Sequence, residues 1–214
     1  MKKIIILLTI LPSLLFAKSS LIKDSLFISE NFKNAQKHLN KMLDVADVKK
    51  LQYPRTINKN GVLVTTDMYD WTPGFFPGLL WNTYEFNQDD KLQAEAIKWT
   101  QSLEPLKNFE EHHDLGFMMY DSFGNGLRLT KDPEYKKVLI QSAKSLASRF
   151  DPKIGLIKSW NGFKGGYKYP VIIDNMMNLE LLTWVSNNGG DPRFGEIARI
   201  HANTTMQRQF RTDN

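Results

Sequence analysis

Asp-Pro opens a helical pattern twice in this sequence, at Asp132-Pro133 and at Asp191-Pro192, 59 residues apart. An aspartate at a helix N-cap accepts a backbone N–H from the first turn, and proline at the next position loses no hydrogen bond there. Two further aspartates, Asp114 and Asp174, stand 60 residues apart at the head of apolar segments with near-helical spacing. Recurrence at this period marks a repeated helical hairpin. Repeated hairpins close into a toroid with long loops at one end. The periodicity predicts helices over 22–46, about 74–86, 90–106, 113–129, 133–150, 174–187 and 194–210, joined alternately by short turns and longer loops. No convincing strand is predicted. The stretch 47–64 reads as an ordered loop, at most a hairpin around the Asn60-Gly61 turn. The fold class is therefore all-α.

Composition removes several chemistries. There is no cysteine among the 214 residues, so disulfides, thiol nucleophiles and cysteine-based zinc sites are excluded. Four histidines without metal-site spacing give no catalytic zinc motif, since His112-His113-Asp114 is not HExxH. No metal and no cofactor is expected. The net charge of +5 is dispersed, which speaks against a nucleic-acid partner. Met1-Lys2-Lys3, then an apolar stretch from Ile4 to Phe16 and the small residue Ala17, form the pattern of a secretory leader, too short to span a bilayer. Residues 1–17 are expected to be removed on export to a bacterial periplasm. That leaves 18–214 as one domain with no membrane attachment.

Two acids are the candidate chemistry. Asp174 lies in VIIDNMMNLELLTW and Asp114 in EHHDLGFMMYDSFGNG. Taken singly, each reads as a helix cap. Taken together, two carboxylates at the starts of two neighbouring helices face one cavity, as sugar chemistry requires. His113 beside Asp114 is either a satisfied core histidine or a donor to a ligand. The segment TTDMYDWTPGFFPGLLWNTYE crowds aromatics around Gly74 and Gly78, which implies a close backbone approach or a sharp helix entry. Trp81, Trp99 and Trp184 are expected in the core, and His201 is expected to be structural.

Four segments in order, TTDMYDWTPGFFPGLLWNTYE, HHDLGFMMYDSFGNG, IIDNMMNLELLTW and ARIHANTTMQRQFR, resemble glycoside hydrolase family 88, the unsaturated glucuronyl hydrolases. The resemblance implies a barrel of six helical hairpins, (α/α)6, of which this chain matches the N-terminal half to three-fifths. The family's later segments have no counterpart before Arg211-Thr212-Asp213-Asn214. A truncated, poorly soluble partial barrel with exposed apolar patches at its ends, and no hydration activity on its own, is the expectation. The resemblance makes Asp174 the acid and base that hydrates an unsaturated uronic acid. It makes Asp114 the second essential carboxylate, and His113, Trp71 and Trp160 substrate-binding residues. The implied partner is an unsaturated uronate-containing oligosaccharide, a disaccharide of glycosaminoglycan type. Two alternatives stand beside it: an unsaturated rhamnogalacturonyl hydrolase of the same fold, and an inactive or carbohydrate-binding fragment.

Overall fold

The structure, a computed structural model, describes residues 7–162, 166–211 and 213, with side chains from residue 24 onward. The side chains of the expected leader lie outside the described residues. The chain divides into two units, 1–44 and 45–214. The first is one helix, α1 (Leu7–Leu43). No helix among the described residues is long and apolar enough to cross a membrane.

The second unit is built from three successive helical hairpins. They are α2 (Phe75–Asn87) with α3 (Asp90–Ser102); α4 (Leu115–Met119) and α5 (Asn125–Thr130) with α6 (Pro133–Ala147); and α7 (Leu179–Asn187) with α8 (Arg193–Gln209). The leading helices lie side by side, α2 against the α4–α5 segment and α4 against α7, and each is backed by its partner. The tight turns follow from their residues. Gln88 and Lys131 take left-handed conformations, and their N–H groups cap Tyr84 O at 2.7 Å and Leu127 O at 2.9 Å. Asp89 then caps α3 by accepting from Lys91 and Leu92 N–H, and Asp132 caps α6 by accepting from Glu134 N–H. The Asp132-Pro133 opener thus does what its sequence implies; at α8 the N-cap is Pro192, and Asp191 Oδ1 accepts the Arg193 N–H at 2.9 Å just ahead of the helix. Residues 45–74, 103–114 and 148–178 are the longer connections; Trp71 stands on the first, His113 and Asp114 on the second, and Trp160 and Asp174 on the third.

Several expectations are corrected. The helix expected over 113–129 is present and continuous from Leu115 to Thr130, but it widens to a π-helical stretch at Tyr120–Gly124, between α4 and α5. The helix expected to reach Leu106 ends at Ser102 and tightens into a 3-10 turn, Glu104–Asn108. The Asp174 segment opens as a 3-10 turn, Ile173–Asn178, before α7 begins. Strands do exist. β1 (Tyr53–Ile57) pairs antiparallel with β2 (Leu63–Thr66), with a bulge between Pro54 and Thr56, and β3 (Phe150–Asp151) pairs with β4 (Leu156–Ile157).

The core of this unit holds Trp81, Trp99, Leu80, Leu92, Leu103, Leu115, Met118 and Leu139, all fully buried. Trp81 Nε1 donates to Thr100 Oγ at 2.8 Å, which satisfies its one polar atom. The expected close approach is real. A Cβ on Gly74 would meet the Met118 backbone at 2.4 Å, so only glycine lets the head of α2 touch α4.

Candidate active site

Asp114 and Asp174 meet at His113. The His113 Nε2 lies 3.4 Å from Asp114 Oδ1 and 3.6 Å from Asp174 Oδ1. Neither carboxylate makes a capping hydrogen bond among the described residues. The cap reading of the two acids is therefore set aside by geometry: both side chains turn from their own helices toward one point.

Their positions are set from behind. Gly116 brings α4 so close to the 3-10 turn that a Cβ there would meet Asn178 at 2.5 Å. Across that contact the Phe117 N–H donates to Asn178 Oδ1 at 3.0 Å. Asn175 Nδ2 donates to Ile157 O at 2.7 Å and pins the same turn to β4. A 3-10 turn stacks residues i and i+3, so Asn175 and Asn178 share one buried face. Met176 and Met177, read from sequence as part of the apolar face, are exposed instead.

Ser159 joins the two acid-bearing segments. Its carbonyl accepts the His113 N–H at 3.0 Å, and its Oγ accepts the Ile172 N–H at 3.1 Å. The same hydroxyl lies 3.4 Å from His113 Nδ1. With Ser159 donating to Nδ1, the ring carries its proton on Nε2, between the two carboxylates. That Nε2 is fully buried and makes no hydrogen bond among the described residues. The oxygens closest to it are those of the two carboxylates, Asp114 Oδ1 at 3.4 Å and Asp174 Oδ1 at 3.6 Å.

Burial holds His113 below the usual histidine range, against the pull of Asp114 and Asp174, so the ring is neutral. The Asp174 carboxyl is raised, first by desolvation and further by the Asp114 carboxylate, with His113 opposing. Its side chain keeps 48 % of its surface exposed, so the desolvation comes from one side only and the other is open to a ligand. Asp114 is buried, its side chain 10 % exposed. One acid is open and inclined to hold a proton; the other is enclosed.

His112 is a further residue of the site, one not singled out from the sequence. Its Nδ1 lies 3.1 Å from Asp114 Oδ2, its Nε2 lies 3.0 Å from Tyr69 O, and its ring stands edge-on to Phe109 at 4.8 Å. The doubled histidine in EHHD was the signal. His112 also forms a β-bridge with Trp160, which sets the Trp160 ring edge-on to His113 at 5.6 Å. Behind this bridge the buried Arg149 donates to the carbonyls of Lys158, at 2.8 Å, and Glu110, and to Asn161 Oδ1. It knits the histidine segment to the tryptophan segment.

Asp114, Asp174, His113 and Trp160 are thus brought together as expected. Trp71 stands one layer off. Its ring meets Phe75 at 6.0 Å and Phe117 at 6.5 Å, and Arg55 lies over it at 4.9 Å. His201 is a buried structural residue whose Nδ1 accepts the Ile157 N–H at 2.9 Å. Trp184, expected in the core, is half-buried and lines a hollow of about 580 Å³ with Tyr120, Asp121 and Glu180. The sequence places no metal here. His113, Asp114 and Asp174 nonetheless offer one nitrogen and two oxygens within 4.8 Å of one another, and a cation would be held there if anywhere among the described residues.

No protein-family model matches the sequence. The chain is similar to an unsaturated glucuronyl hydrolase of Formosa agariphila, 46% identical over 145 residues, 67% of this chain and 36% of the relative. It is 33% identical over 168 residues to an unsaturated chondroitin disaccharide hydrolase of Streptococcus agalactiae, covering 76% of this chain and 42% of the relative. Among solved structures, an unsaturated glucuronyl hydrolase specific for heparin superposes with a TM-score of 0.80 at 40% identity, over 86% of this chain and 48% of the other. The chain spans less than half the length of these relatives. Its three hairpins are part of their (α/α)6 barrel. In sequence and in fold alike, this chain belongs to the unsaturated glucuronyl hydrolase family.

Proposed function

We propose that the chain carries the acid-bearing part of a glycoside hydrolase. This enzyme releases the unsaturated (4,5-dehydro) uronic acid from the non-reducing end of oligosaccharides left by polysaccharide lyases. The C4–C5 bond of that sugar is a vinyl ether. Asp174 gives its proton to C4, and the cation formed at C5 is shared with the ring oxygen. Water adds at C5 and its proton returns to the Asp174 carboxylate. The C5 hemiketal opens to a ketone, C1 becomes a hemiacetal, and its collapse frees the neighbouring sugar. Asp114 accepts hydroxyls of the sugar, His113 Nε2–H donates to one of its oxygens, and Trp160 packs on its C–H groups. Trp71 is a further aromatic wall.

The observation that carries this reading is the convergence of both carboxyls on the unpaired His113 Nε2, with the open acid inclined to hold a proton. The names of the relatives favour a glucuronyl over a rhamnogalacturonyl substrate. They also point to an unsaturated glycosaminoglycan disaccharide as the partner. Export belongs to the same proposal, supported by the basic and then apolar start of the sequence.

The test is loss of the ultraviolet band of the unsaturated sugar on mixing protein with lyase-generated disaccharides. It is run on the chain as it stands and on the chain extended with the C-terminal part of the Formosa relative. Bleaching in either form that Asp174→Asn abolishes supports the proposal. No bleaching in both forms overturns it.

A further inference from the structure

A bulge in β1 puts one charged residue out of the strand pairing. Tyr53 and Pro54 face Thr66 and Thr65, Thr56 and Ile57 face Val64 and Leu63, and Arg55 between them has no partner across the ladder. An unpaired bulge residue is re-aimed from the sheet. Here the side chain goes over Trp71, with the guanidinium carbon 4.9 Å from the ring centroid. Its Nε stands 3.1 Å from Asp70 Oδ1, and Asp70 is itself engaged by the Thr72 N–H and hydroxyl at 3.0 and 2.6 Å. The guanidinium is therefore held on its flat face by an indole and at Nε by a carboxylate. Its two terminal NH2 groups make no hydrogen bond among the described residues, and the side chain is 34% exposed. A guanidinium fixed in this way presents a two-pronged donor edge, the geometry that fits the oxygens of a carboxylate or sulfate.

Two contacts tie the Trp71 segment to the acid-bearing one. Trp71 meets Phe117, three residues after Asp114, and the Tyr69 carbonyl holds His112 against Asp114. We propose that Arg55 is a substrate-binding residue of this site, holding an oxyanion of the oligosaccharide from above the Trp71 ring. The inference rests on the functional reading above. Every lyase product of this class carries a carboxylate on its unsaturated sugar, and some carry sulfate on the next one. The shared chemistry is the planar or tetrahedral oxyanion, and the binding measurement separates the two sources.

The experiment is calorimetric titration of the 214-residue chain, as wild type, Arg55→Gln and Arg55→Lys, with two unsaturated disaccharides. One is unsulfated; the other is sulfated on the sugar next to the unsaturated uronate. Loss of a charge-assisted hydrogen-bonded contact weakens binding about tenfold or more. A loss in Arg55→Gln confined to the sulfated ligand assigns the residue to sulfate; an equal loss for both assigns it to the carboxylate. Arg55→Lys keeps the charge without the fork and recovers only part of the affinity. If circular dichroism shows Arg55→Gln unfolded, Arg55→Lys alone decides: threefold weakening or more upholds the role, and unchanged affinity overturns it. Wild-type affinity for both ligands in folded Arg55→Gln makes Arg55 a strut for Trp71 only and overturns the proposal while the functional reading stands. A wild type that binds neither disaccharide, both as it stands and extended with the C-terminal part of the Formosa relative, overturns both.

Discussion

Asp174 and Asp114 are the same residue type with opposite settings, and that difference is what the chemistry uses. Asp174 is half-exposed and raised by one-sided desolvation and by Asp114; Asp114 is enclosed between two histidines. In the proposed mechanism the protonated form of Asp174 is the acting acid, so the rate is expected to fall as pH rises through its raised pKa. Asp174→Asn lowers kcat by about 10²–10⁴-fold, the usual contribution of a positioned acid. Asp114→Asn removes one of the two upward influences, so whatever activity survives loses its alkaline limb at lower pH than the wild type. A pH–rate profile of that variant checks the direction. His201 gives a separate, structural prediction. Burial depresses it from 6.5 to about 4. A depressed folded-state value means stability is complete above 6.5 and is lost as pH falls toward 4, in all by about 3 kcal/mol. His201→Gln, denatured with urea across that window, loses this acid dependence and shows a flatter curve.

Among the elements, the turn Ile173–Asn178 decides the site, and the periodicity misread it. Apolar spacing put Met176 and Met177 inward; the structure buries Asn175 and Asn178. The reason is that backbone groups at this contact need partners. Ile157 O and Phe117 N–H have side-chain amides as theirs, and those amides need the buried face. A glycine makes the contact possible. Gly116→Ala drives a Cβ into Asn178 backbone and side-chain atoms, and we expect a cost of about 1–3 kcal/mol. Binding is expected to fall further than stability alone accounts for, because the clash moves both acids apart. Thermal unfolding together with disaccharide titration checks this. Hairpin order, the Asp132 and Asp191 openers and the meeting of the two acids were legible in the sequence, because caps and periodicity are local signals. The π-type turn at Tyr120–Gly124, the bulge that releases Arg55 and the role of His112 were not, because each is fixed by a partner outside its own element: the Gly78 approach to Asp121, the β2 register and the Tyr69 carbonyl.

For the whole molecule, the fact that matters is length: the chain spans 36% of one relative and 48% of a solved neighbour. On α8 the Phe194 side is buried, while Met206 and Phe210 keep 60% and 62% of their surface exposed. Burying a large apolar side chain contributes about 1.5–3 kcal/mol. Appending the C-terminal part of the Formosa relative is therefore expected to raise the thermal midpoint and to give the greater hydration rate. The central claim is that Asp174 protonates C4 of an unsaturated uronate and that water adds at C5. The most direct measurement is turnover in heavy water by this extended protein, with the product read by NMR. The account predicts one deuterium at C4 of the released keto-sugar in the wild type and none above background in Asp174→Asn. Undiminished release by Asp174→Asn, or product from the wild type without deuterium at C4, would contradict it.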